Sequence, residues 1–234
     1  AVVRGPGFVI SRVELGGRTA RRILITGAAG FIGSALVRAL VARGWGRIAG
    51  LDILSPPADG GASGSSGPPH PLSEYAFHFC DVQDGERFAR IVRAEAPDVI
   101  VHAAGRAGMR ASENDPAGYH ATNVLGTQNV FEAARALKCY VVLISSGSVY
   151  GDVSAPATEE TPLPPSANTY IRTKRLAEEV ARRYSDEFGQ ETTVLRVFTV
   201  YGPHQRAEMA IRTFVRRISS GEAVTVYGDG SACR

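Results

Sequence analysis

Lysine, cysteine and long apolar runs are scarce in this chain of 234 residues. Only Lys138 and Lys174 among its 26 basic residues are lysines, and the others are arginines. The three cysteines lie far apart without CxxC spacing or a histidine cluster nearby. They therefore indicate neither a disulfide framework nor a zinc site, and no metal is expected. No apolar stretch reaches the roughly 18 residues that a membrane-spanning helix needs.

Charge and composition favour a soluble protein that acts on small molecules. The formal net charge is only +3 and the arginines are scattered, so neither nucleic acid nor a membrane is expected as a partner. The first 22 residues carry five arginines and no sustained apolar run, which is untypical of a signal peptide and favours the cytoplasm. An apolar fraction of 44% suits one large α/β domain, or one complete domain with part of a second.

Apolar runs alternate with helical patterns along the chain, which predicts a doubly wound parallel sheet of the Rossmann type. A Pro/Gly/Ser-rich stretch, residues 55–71, is expected to form a mobile surface loop. Strands are predicted at 22–26, 48–53, 77–79, 99–101, 140–145, 193–198 and 224–227, and helices near 32–40, 86–96, 119–136, 168–188 and 207–219. The last 35 or so residues should lie outside the sheet.

Gly27, Gly30 and Gly33 stand between the first predicted strand and the first predicted helix. Glycines there let the turn close and let the backbone approach a pyrophosphate, whose charge is stabilised by the helix N-terminus. The alternative is a tight turn without a ligand. Asp52 ends the second strand and is placed to accept hydrogen bonds from a ribose. Because a 2′-phosphate would face this carboxylate and no arginine directly follows it, NAD is favoured over NADP.

Other candidates follow the later strands. Asp81 either contacts the adenine or caps a turn or helix. The run of small residues 102–108 could let a cofactor lie on the backbone, whereas His102 itself is expected to be packed and hydrogen-bonded rather than catalytic. Ser145, Ser146 and Ser148 close the fifth strand, at the sheet edge where open α/β folds bind ligands. Their hydroxyls either contact a substrate oxygen or satisfy the strand end.

Tyr170 and Lys174 stand four residues apart on a predicted helix. A tyrosine one turn from an ammonium group can be held partly as phenolate, which makes it a general base near neutral pH. The alternative is an ordinary surface lysine beside a half-buried tyrosine. The scarcity of lysine favours a role for Lys174 that arginine could not fill.

These motifs together resemble the extended short-chain dehydrogenase/reductase superfamily: TGAAGFIG, LDIL, HAAG, NVLGT, SSGSVYG, YxxxK and LRVFTVYGP occur in the family's order, from about Ile23 to Gly230. Within it, AGRAGMRASENDPAGY and FTVYGPHQRAEMA are similar to nucleotide-sugar 4-epimerases acting on UDP-glucuronic acid. The resemblance implies an N-terminal extension (1–22), an NAD-binding domain (23–198) and the start of a substrate-binding domain (199–234). That domain continues beyond this chain in the family, so we expect a truncated substrate-binding portion.

The resemblance also implies the site. Its catalytic residues would be Ser146, Tyr170 and Lys174. Its NAD contacts would be Gly27, Ala29, Gly30, Phe31, Ile32, Gly33, Asp52, Asp81, Val82, Ala103, Ala104, Gly105, Asn123, Ser145, Tyr170 and Lys174. Its UDP-sugar contacts would be Arg110, Ser146, Gly147, Ser148, Tyr170, Thr199, Arg206 and Met209, with Arg206 near the diphosphate or the nucleotide ribose unless it forms a rim salt bridge. The family commonly forms dimers, so a homodimer is expected.

The implied reaction begins with loss of a proton from the sugar 4-hydroxyl to Tyr170 while C4 is oxidised by NAD, and ends with reduction from the other face of the keto sugar. Gly147 departs from the hydroxyl run usual in epimerases for uronic acids, so one carboxylate contact is missing. Epimerases for UDP-glucose or UDP-N-acetylhexosamines, a UDP-glucuronic acid decarboxylase, a 4,6-dehydratase and a non-catalytic NAD-binding protein stay as alternatives. Gly147 and Ser148 stand where dehydratases carry an acid pair, which disfavours that reaction.

Overall fold

A computed structural model describes residues 14–15, 18–19, 22–54, 75–151, 156–205, 207 and 209–225. Three predictions lie wholly or mainly outside these residues: the surface loop at 55–71, the substrate contact of Arg206, and most of the N-terminal extension. Within that extension, β1 (Glu14–Leu15) pairs antiparallel with β2 (Arg18–Thr19), a ladder that the sequence did not predict.

A six-stranded parallel sheet forms the centre of the molecule. Its strands are β3 (Arg22–Thr26), β4 (Arg47–Asp52), β5 (Ala76–Phe79), β6 (Val99–His102), β7 (Tyr140–Ser146) and β8 (Thr192–Val197). Their order, β5-β4-β3-β6-β7-β8, reverses direction between β3 and β6. This is the doubly wound order of dinucleotide-binding folds, in which ligands bind outside the carboxyl ends of the strands at the reversal. The predicted Rossmann-type sheet is confirmed.

Seven α-helices are described around the sheet. They are α1 (Phe31–Val41), α2 (Gly85–Glu95), α3 (Met109–Asn114), α4 (Pro116–His120), α5 (Gly126–Leu137), α6 (Thr169–Phe188) and α7 (Ala210–Ser219). A π-helical turn (Ala121–Leu125) joins α4 to α5, so the helix predicted at 119–136 is present as part of a longer helical segment, residues 116–137. A 3-10 turn (Gly147–Tyr150) follows β7. The strand predicted at 224–227 is wrong in its described part, because Val224 and Thr225 are irregular.

Two apolar layers cover opposite faces of the sheet, as a parallel sheet buried on both sides requires. Successive residues of β3 point into opposite layers: Leu24 packs with Phe88 of α2 and Phe131 of α5, whereas Ile25 packs with Val37 of α1. Because both faces of the strand are apolar, β3 is buried between two layers of helices. Because the helices hold the sheet on both faces, the loops at its carboxyl edge are supported by a rigid core.

Helix α7 lies beyond the sheet, as predicted for the last residues. It has one apolar face, and Ile211, Val215 and Ile218 on that face are exposed by 39%, 63% and 66%. Among the described residues, no helix is both long enough and apolar enough to cross a membrane.

Candidate active site

The turn after β3 is built around glycines. Gly27 has φ +70°, and a Cβ there would lie 2.6 Å from the Ala104 amide nitrogen, so only glycine lets the turn pass so close to the β6 loop. A Cβ on Gly33 would lie 2.0 Å from the Gly27 carbonyl oxygen. Gly30 ends the turn and begins α1 without a side-chain cap, and the first turn of α1 contains no acidic residue. The helix N-terminus is therefore open to an anion.

Asp52 is bonded directly to this turn. Its Oδ2 accepts a hydrogen bond of 2.9 Å from the Ala29 amide, and its Oδ1 accepts one of 3.1 Å from the Leu54 amide. Partial burial raises the pKa of Asp52, while these backbone bonds favour the ionised form. The Gly30 and Ile53 amides also act on this carboxylate and favour its ionised form. An ionised carboxylate accepts hydrogen bonds on both oxygens, which suits a diol such as ribose.

Asp81 and Val82 follow β5. The Asp81 carboxylate accepts from the Gln83 amide at 2.9 Å and from Gln83 Nε2 at 3.1 Å, which makes it a local turn cap. The adjoining helix α2 is capped by Asp84 instead. Val82 is buried. Contact of either residue with a cofactor stays a prediction.

His102 ends β6 at the point where the strand order reverses. It is buried, with Nδ1 2.7 Å from Thr26 Oγ1 and Nε2 3.1 Å from Thr127 Oγ1. Thr26 Oγ1 also accepts from the Ala104 amide, and Thr127 Oγ1 donates to the Asn123 carbonyl at 2.6 Å. This pattern assigns the proton to Nε2. Burial lowers the pKa of His102 to about 3, helped by the charge of Lys174, so the ring is neutral and packed as expected.

Asn123 continues this chain of hydrogen bonds from the π-helical turn. Its Oδ1 accepts from the Arg106 amide at 2.8 Å, and its Nδ2 donates to the Arg106 carbonyl at 3.0 Å and to Thr173 Oγ1 at 3.1 Å. Thr173 in turn donates to the Tyr170 carbonyl at 2.9 Å. A continuous buried network thus connects the end of β3 to the helix that carries Tyr170 and Lys174.

Helix α3 caps the start of α6. Glu113 Oε1 accepts from the Thr169 amide at 2.9 Å and from Asn168 Nδ2 at 2.8 Å, and Ser112 Oγ accepts from the Tyr170 amide at 3.1 Å. A carboxylate at a helix N-terminus satisfies orphan amides and interacts favourably with the helix dipole. The Tyr170 ring lies edge-on to Tyr119, with ring centroids 6.5 Å apart. Tyr170 is therefore held from both its backbone and its ring.

Lys174 meets the end of β7. Its Nζ donates a hydrogen bond of 2.9 Å to the Ile144 carbonyl, two residues before Ser146. A Cβ on Gly105 would lie 3.5 Å from this nitrogen, so the loop after β6 borders the ammonium group. Burial lowers the pKa of Lys174 to about 8, although the charge of Glu178 opposes the shift. The structure thus brings Gly105, Asn123, Tyr170 and Lys174 to one region at the carboxyl edge of the sheet.

The serines after β7 bond to one another. Ser146 Oγ lies 2.8 Å from Ser148 Oγ and accepts from the Ser148 amide at 3.2 Å. Gly147 is buried, and a Cβ there would lie 3.0 Å from the Phe198 ring, which occupies the side-chain space of this position. Ser145 is buried and donates to Glu178 Oε1 at 2.5 Å. Ser146 and Ser148 therefore share one polar patch, whereas the Ser145 hydroxyl is used inside the protein.

The remaining predicted substrate contacts lie on separate segments. Arg110 is exposed on α3, Thr199 is exposed just after β8, and Met209 is half-buried just before α7. Their contact with a substrate stays a prediction. Within the described residues, no group of three or more His, Cys, Asp or Glu side chains could hold a metal ion.

Three charged residues near the site were not singled out in the sequence. Glu178 accepts from Ser145 and from Arg196, and Arg175 donates to the Val149 carbonyl at 3.1 Å through Nε and to the Pro164 carbonyl. Arg175 thereby ties α6 to the turn that follows Ser146. Glu178 could have been found, because it stands four residues after Lys174 and so on the same face of the helix.

Comparison with known proteins agrees with this geometry. The chain is 32% identical over 215 residues to Protein CapI of Staphylococcus aureus, covering 91% of this chain and 64% of that protein. It is 34% identical over 208 residues to UDP-glucuronate 4-epimerase 6 of Arabidopsis thaliana, covering 88% and 45% respectively.

Solved structures also match the fold. A UDP-glucuronic acid 4-epimerase from Bacillus cereus, in complex with UDP-glucuronic acid and NAD, superposes with a TM-score of 0.76 at 30% identity, covering 89% of this chain and 66% of that one. UDP-glucose 4-epimerase from Thermotoga maritima with UDP-glucose gives a TM-score of 0.77 at 30% identity, with the same coverage.

The extent of these matches identifies the family. The chain spans less than two thirds of the length of the first curated relatives that it matches. Residues 23–234, nearly the whole chain, match the description "NAD dependent epimerase/dehydratase family". The doubly wound sheet, the glycine turn and the Tyr170–Lys174 pair thus belong to a member of the NAD dependent epimerase/dehydratase family.

Proposed function

We propose that this protein is an NAD-dependent 4-epimerase of a UDP-sugar, and that it interconverts UDP-glucuronic acid and UDP-galacturonic acid. The observation that carries the proposal is the position of Lys174, one helical turn from Tyr170 and hydrogen-bonded to the strand that ends in Ser146. Similarity to a UDP-glucuronic acid 4-epimerase solved with UDP-glucuronic acid and NAD supports this choice of substrate.

The residues at the glycine turn fit the cofactor. The open N-terminus of α1 suits its pyrophosphate, and Asp52 suits the adenosine ribose. Gly27, Ala29, Gly30, Phe31, Ile32, Gly33, Asp81, Val82, Ala103, Ala104, Gly105, Asn123 and Ser145 are the further proposed contacts. Held by these residues, NAD would supply a hydride acceptor and donor for C4 of the sugar, so no external oxidant would be consumed.

The chain's own side chains move and hold the proton. Tyr170 as phenolate accepts the proton of the 4-hydroxyl group and later returns it. The Lys174 ammonium stabilises the phenolate, and Ser146 donates a hydrogen bond to the reacting oxygen. Arg110, Gly147, Ser148, Thr199, Arg206 and Met209 complete the proposed substrate contacts. Guanidinium groups in this set suit the oxyanions of a nucleoside diphosphate.

Two related reactions are separated from epimerisation in different ways. A 4,6-dehydratase needs an acid pair beside the reacting oxygen, and Gly147 and Ser148 stand at those positions. Decarboxylation of UDP-glucuronic acid starts with the same oxidation at C4, so release of CO2 is the measurement that separates it from epimerisation.

The test is to incubate full-length protein and NAD with UDP-glucuronic acid, UDP-glucose and UDP-N-acetylglucosamine in separate reactions. Inversion at C4 is followed by proton NMR, and CO2 is measured in parallel. We expect inversion of UDP-glucuronic acid without CO2. If another UDP-sugar is inverted faster, the proposed substrate is wrong and the proposed 4-epimerase reaction stands. No inversion of any of them, with NAD still bound, would indicate a non-catalytic NAD-binding protein.

We also propose a homodimer and a cytoplasmic location. The dimer proposal follows the common assembly of the family that the sequence resembles, and Leu176, exposed on the long helix α6, is the side chain chosen to test it. Cys80 and Cys139 are buried free cysteines, in keeping with a reducing compartment. Light scattering of the wild type and of Leu176→Glu tests the dimer, and a wild-type monomer at micromolar concentration would contradict it. Fractionation of cells tests the location.

A further inference from the structure

Glu178 continues the face of α6 that carries the proposed active site. Tyr170, Lys174 and Glu178 are spaced by four residues, so their side chains follow one another along the same side of the helix. The Glu178 side chain is only 12% exposed. A carboxylate with so little exposure needs partners, because losing its hydration without them is costly.

Its partners hold the carboxylate in one orientation. Ser145 donates to Oε1 at 2.5 Å, and Arg196 approaches side-on, with Nε 3.1 Å from Oε1 and Nη2 2.8 Å from Oε2. The Arg196 guanidinium also lies over the Tyr150 ring, 4.9 Å from its centroid. Glu178 therefore brings together α6, the end of β7 and β8, and its charge is fixed in position next to the Lys174 turn.

Lys174 has an environment that disfavours its charge. Burial is the largest influence on its pKa and lowers it to about 8, and Glu178 raises it. Among the other groups near it, His102 on β6 is neutral and Tyr170 lies on the same helix. Arg175 and Arg196 are cations near Glu178, so they weaken its field at Lys174. Glu178 is thus the carboxylate, within the part of the chain that the structure describes, whose charge supports the ammonium form of Lys174.

We propose that Glu178 is a positioning residue for Lys174: its largely covered carboxylate, held on Oε1 by the Ser145 hydroxyl, keeps the Lys174 amine protonated next to Tyr170. The effect on turnover rests on the proposed function, since it matters only if Tyr170 acts as a base. The effect on Lys174 does not, because it is a property of the folded chain without substrate. Arg196 acts in the opposite direction, since its positive charge offsets part of the Glu178 charge.

The scarcity of lysine makes a direct experiment possible. Protein labelled with ¹³C at lysine Cε gives two lysine signals, from Lys138 and Lys174, and a Lys138→Arg variant assigns them. Their titration is recorded from pH 6 to 11 without substrate, in the wild type and in Glu178→Gln, Arg196→Gln and Glu179→Gln. Glu179 is the exposed neighbour on the same helix and serves as the matched control. Circular dichroism checks the fold of each variant.

We expect the midpoint of Lys174 to fall by about one pH unit in Glu178→Gln and to rise in Arg196→Gln, with no change in Glu179→Gln. An unchanged midpoint in Glu178→Gln, or a fall in both Glu178→Gln and Arg196→Gln, overturns the proposal. If Glu178→Gln does not fold, Glu178→Asp decides, because its shorter side chain moves the carboxylate away from Lys174: the midpoint should fall, and an unchanged midpoint overturns the proposal. In active enzyme, the alkaline limb of kcat should move to lower pH in Glu178→Gln. Absence of any turnover would contradict the proposed function and leave the lysine titration decisive.

Discussion

Asp52 and Ala29 are 23 residues apart in the sequence and are joined by a hydrogen bond of 2.9 Å from the Ala29 amide to the Asp52 carboxylate. The parallel pairing of β3 with β4 brings the ends of the two strands together and makes this contact possible. The carboxylate that we propose for the ribose thereby also orders the turn that we propose for the pyrophosphate. In the proposed NAD site, recognition of the two parts of the nucleotide would be coupled through one side chain.

Replacement of Asp52 by Asn should weaken NADH binding by roughly 10- to 100-fold, because a hydrogen bond to a charged group contributes about 1.5–3 kcal/mol. NADPH binding should weaken less, since the carboxylate also repels a 2′-phosphate. Titration calorimetry measures both. Asp84→Asn is the control: Asp84 caps α2, where asparagine caps equally well, so its NADH affinity should stay at the wild-type value. Wild-type NADH affinity in Asp52→Asn would contradict the role given to Asp52.

Gly33→Ala should destabilise the fold by about 3 kcal/mol or more, because the added methyl group would lie 2.0 Å from the Gly27 carbonyl oxygen and backbone would have to move. Gly44→Ala, in the turn three residues after the end of α1, is the matched substitution. Nothing lies within 4 Å of its Cβ position, so only its φ of +61° opposes alanine, at about 1 kcal/mol. Urea denaturation compares the two. Equal losses would show that the Gly33 contact is not what matters.

His102 should make the protein less stable as the pH falls from about 6.5 towards 3. The pKa of His102 is lowered in the folded state from 6.5 to about 3, so in this window the unfolded chain binds a proton that the folded chain does not. The contribution to the free energy of unfolding declines by up to about 1.4 kcal/mol per pH unit. Urea denaturation at pH 7, 6 and 5 measures it.

His102→Gln is the comparison for that pH series, since glutamine does not titrate. Its stability at pH 7 should be lower, because the bonds to Thr26 and Thr127 are disturbed, but its slope with pH should be smaller than that of the wild type. Parallel slopes would mean that His102 does not keep its neutral form. Nitrogen NMR of the wild type should show an Nε2-protonated ring that does not titrate above pH 5.

Tyr170→Phe should keep NAD binding and lose at least about a hundredfold in kcat, the usual scale for a removed acid–base group. Phenylalanine can keep the edge-on contact with Tyr119, so the ring stays in place and only the hydroxyl group is lost. Single-turnover kinetics with the preferred UDP-sugar measures the loss. Tyr201→Phe, an exposed tyrosine beyond β8, serves as the control. Unchanged turnover in Tyr170→Phe would exclude the proposed mechanism.

Glu113→Ala should lower both stability and kcat, because it leaves the Thr169 amide at the start of α6 without its acceptor. We expect about 1 kcal/mol in the free energy of unfolding and a larger effect on kcat than on KM, since Tyr170 is the next residue. Glu113→Gln keeps a carbonyl acceptor and should recover most of both. If glutamine recovers stability without recovering kcat, the charge of Glu113 rather than its hydrogen bond is what α6 requires.

The sheet and the glycine turn were predictable because their signals are local. A continuous apolar run such as 22–26 followed by closely spaced glycines specifies a buried strand and a tight turn without knowledge of any other segment. Tyr170 and Lys174 were predictable for the same reason, since helical spacing alone places them on one face. The short helix α3 was missed because its six residues carry no period long enough to read.

The buried hydrogen bonds were not predictable from such signals. Thr26 and His102 meet across 76 residues, and Ser145 and Glu178 meet across 33, so both contacts depend on strand order and helix register together. A threonine inside a strand looks like any other β-branched residue until its neighbour is known. Asp81 had two interpretations in the sequence: its bonds to Gln83 show the turn cap, and contact with the adenine stays a prediction.

The π-helical turn Ala121–Leu125 makes this region sensitive to the length of the chain. The Gly126 amide bonds to the Ala121 carbonyl five residues back, so the segment holds one residue more than a regular helix would. Deletion of a single exposed residue such as Leu125 would let α4 run straight into α5, yet it would rotate one half against the other by about 100°. Asn123 could then not face Arg106 and Thr173 while Phe131 stayed in the core. We therefore expect insertions and deletions in residues 121–125 to be tolerated far less than substitutions. Only an unchanged number of residues keeps both the Asn123 contacts and the packing of Phe131.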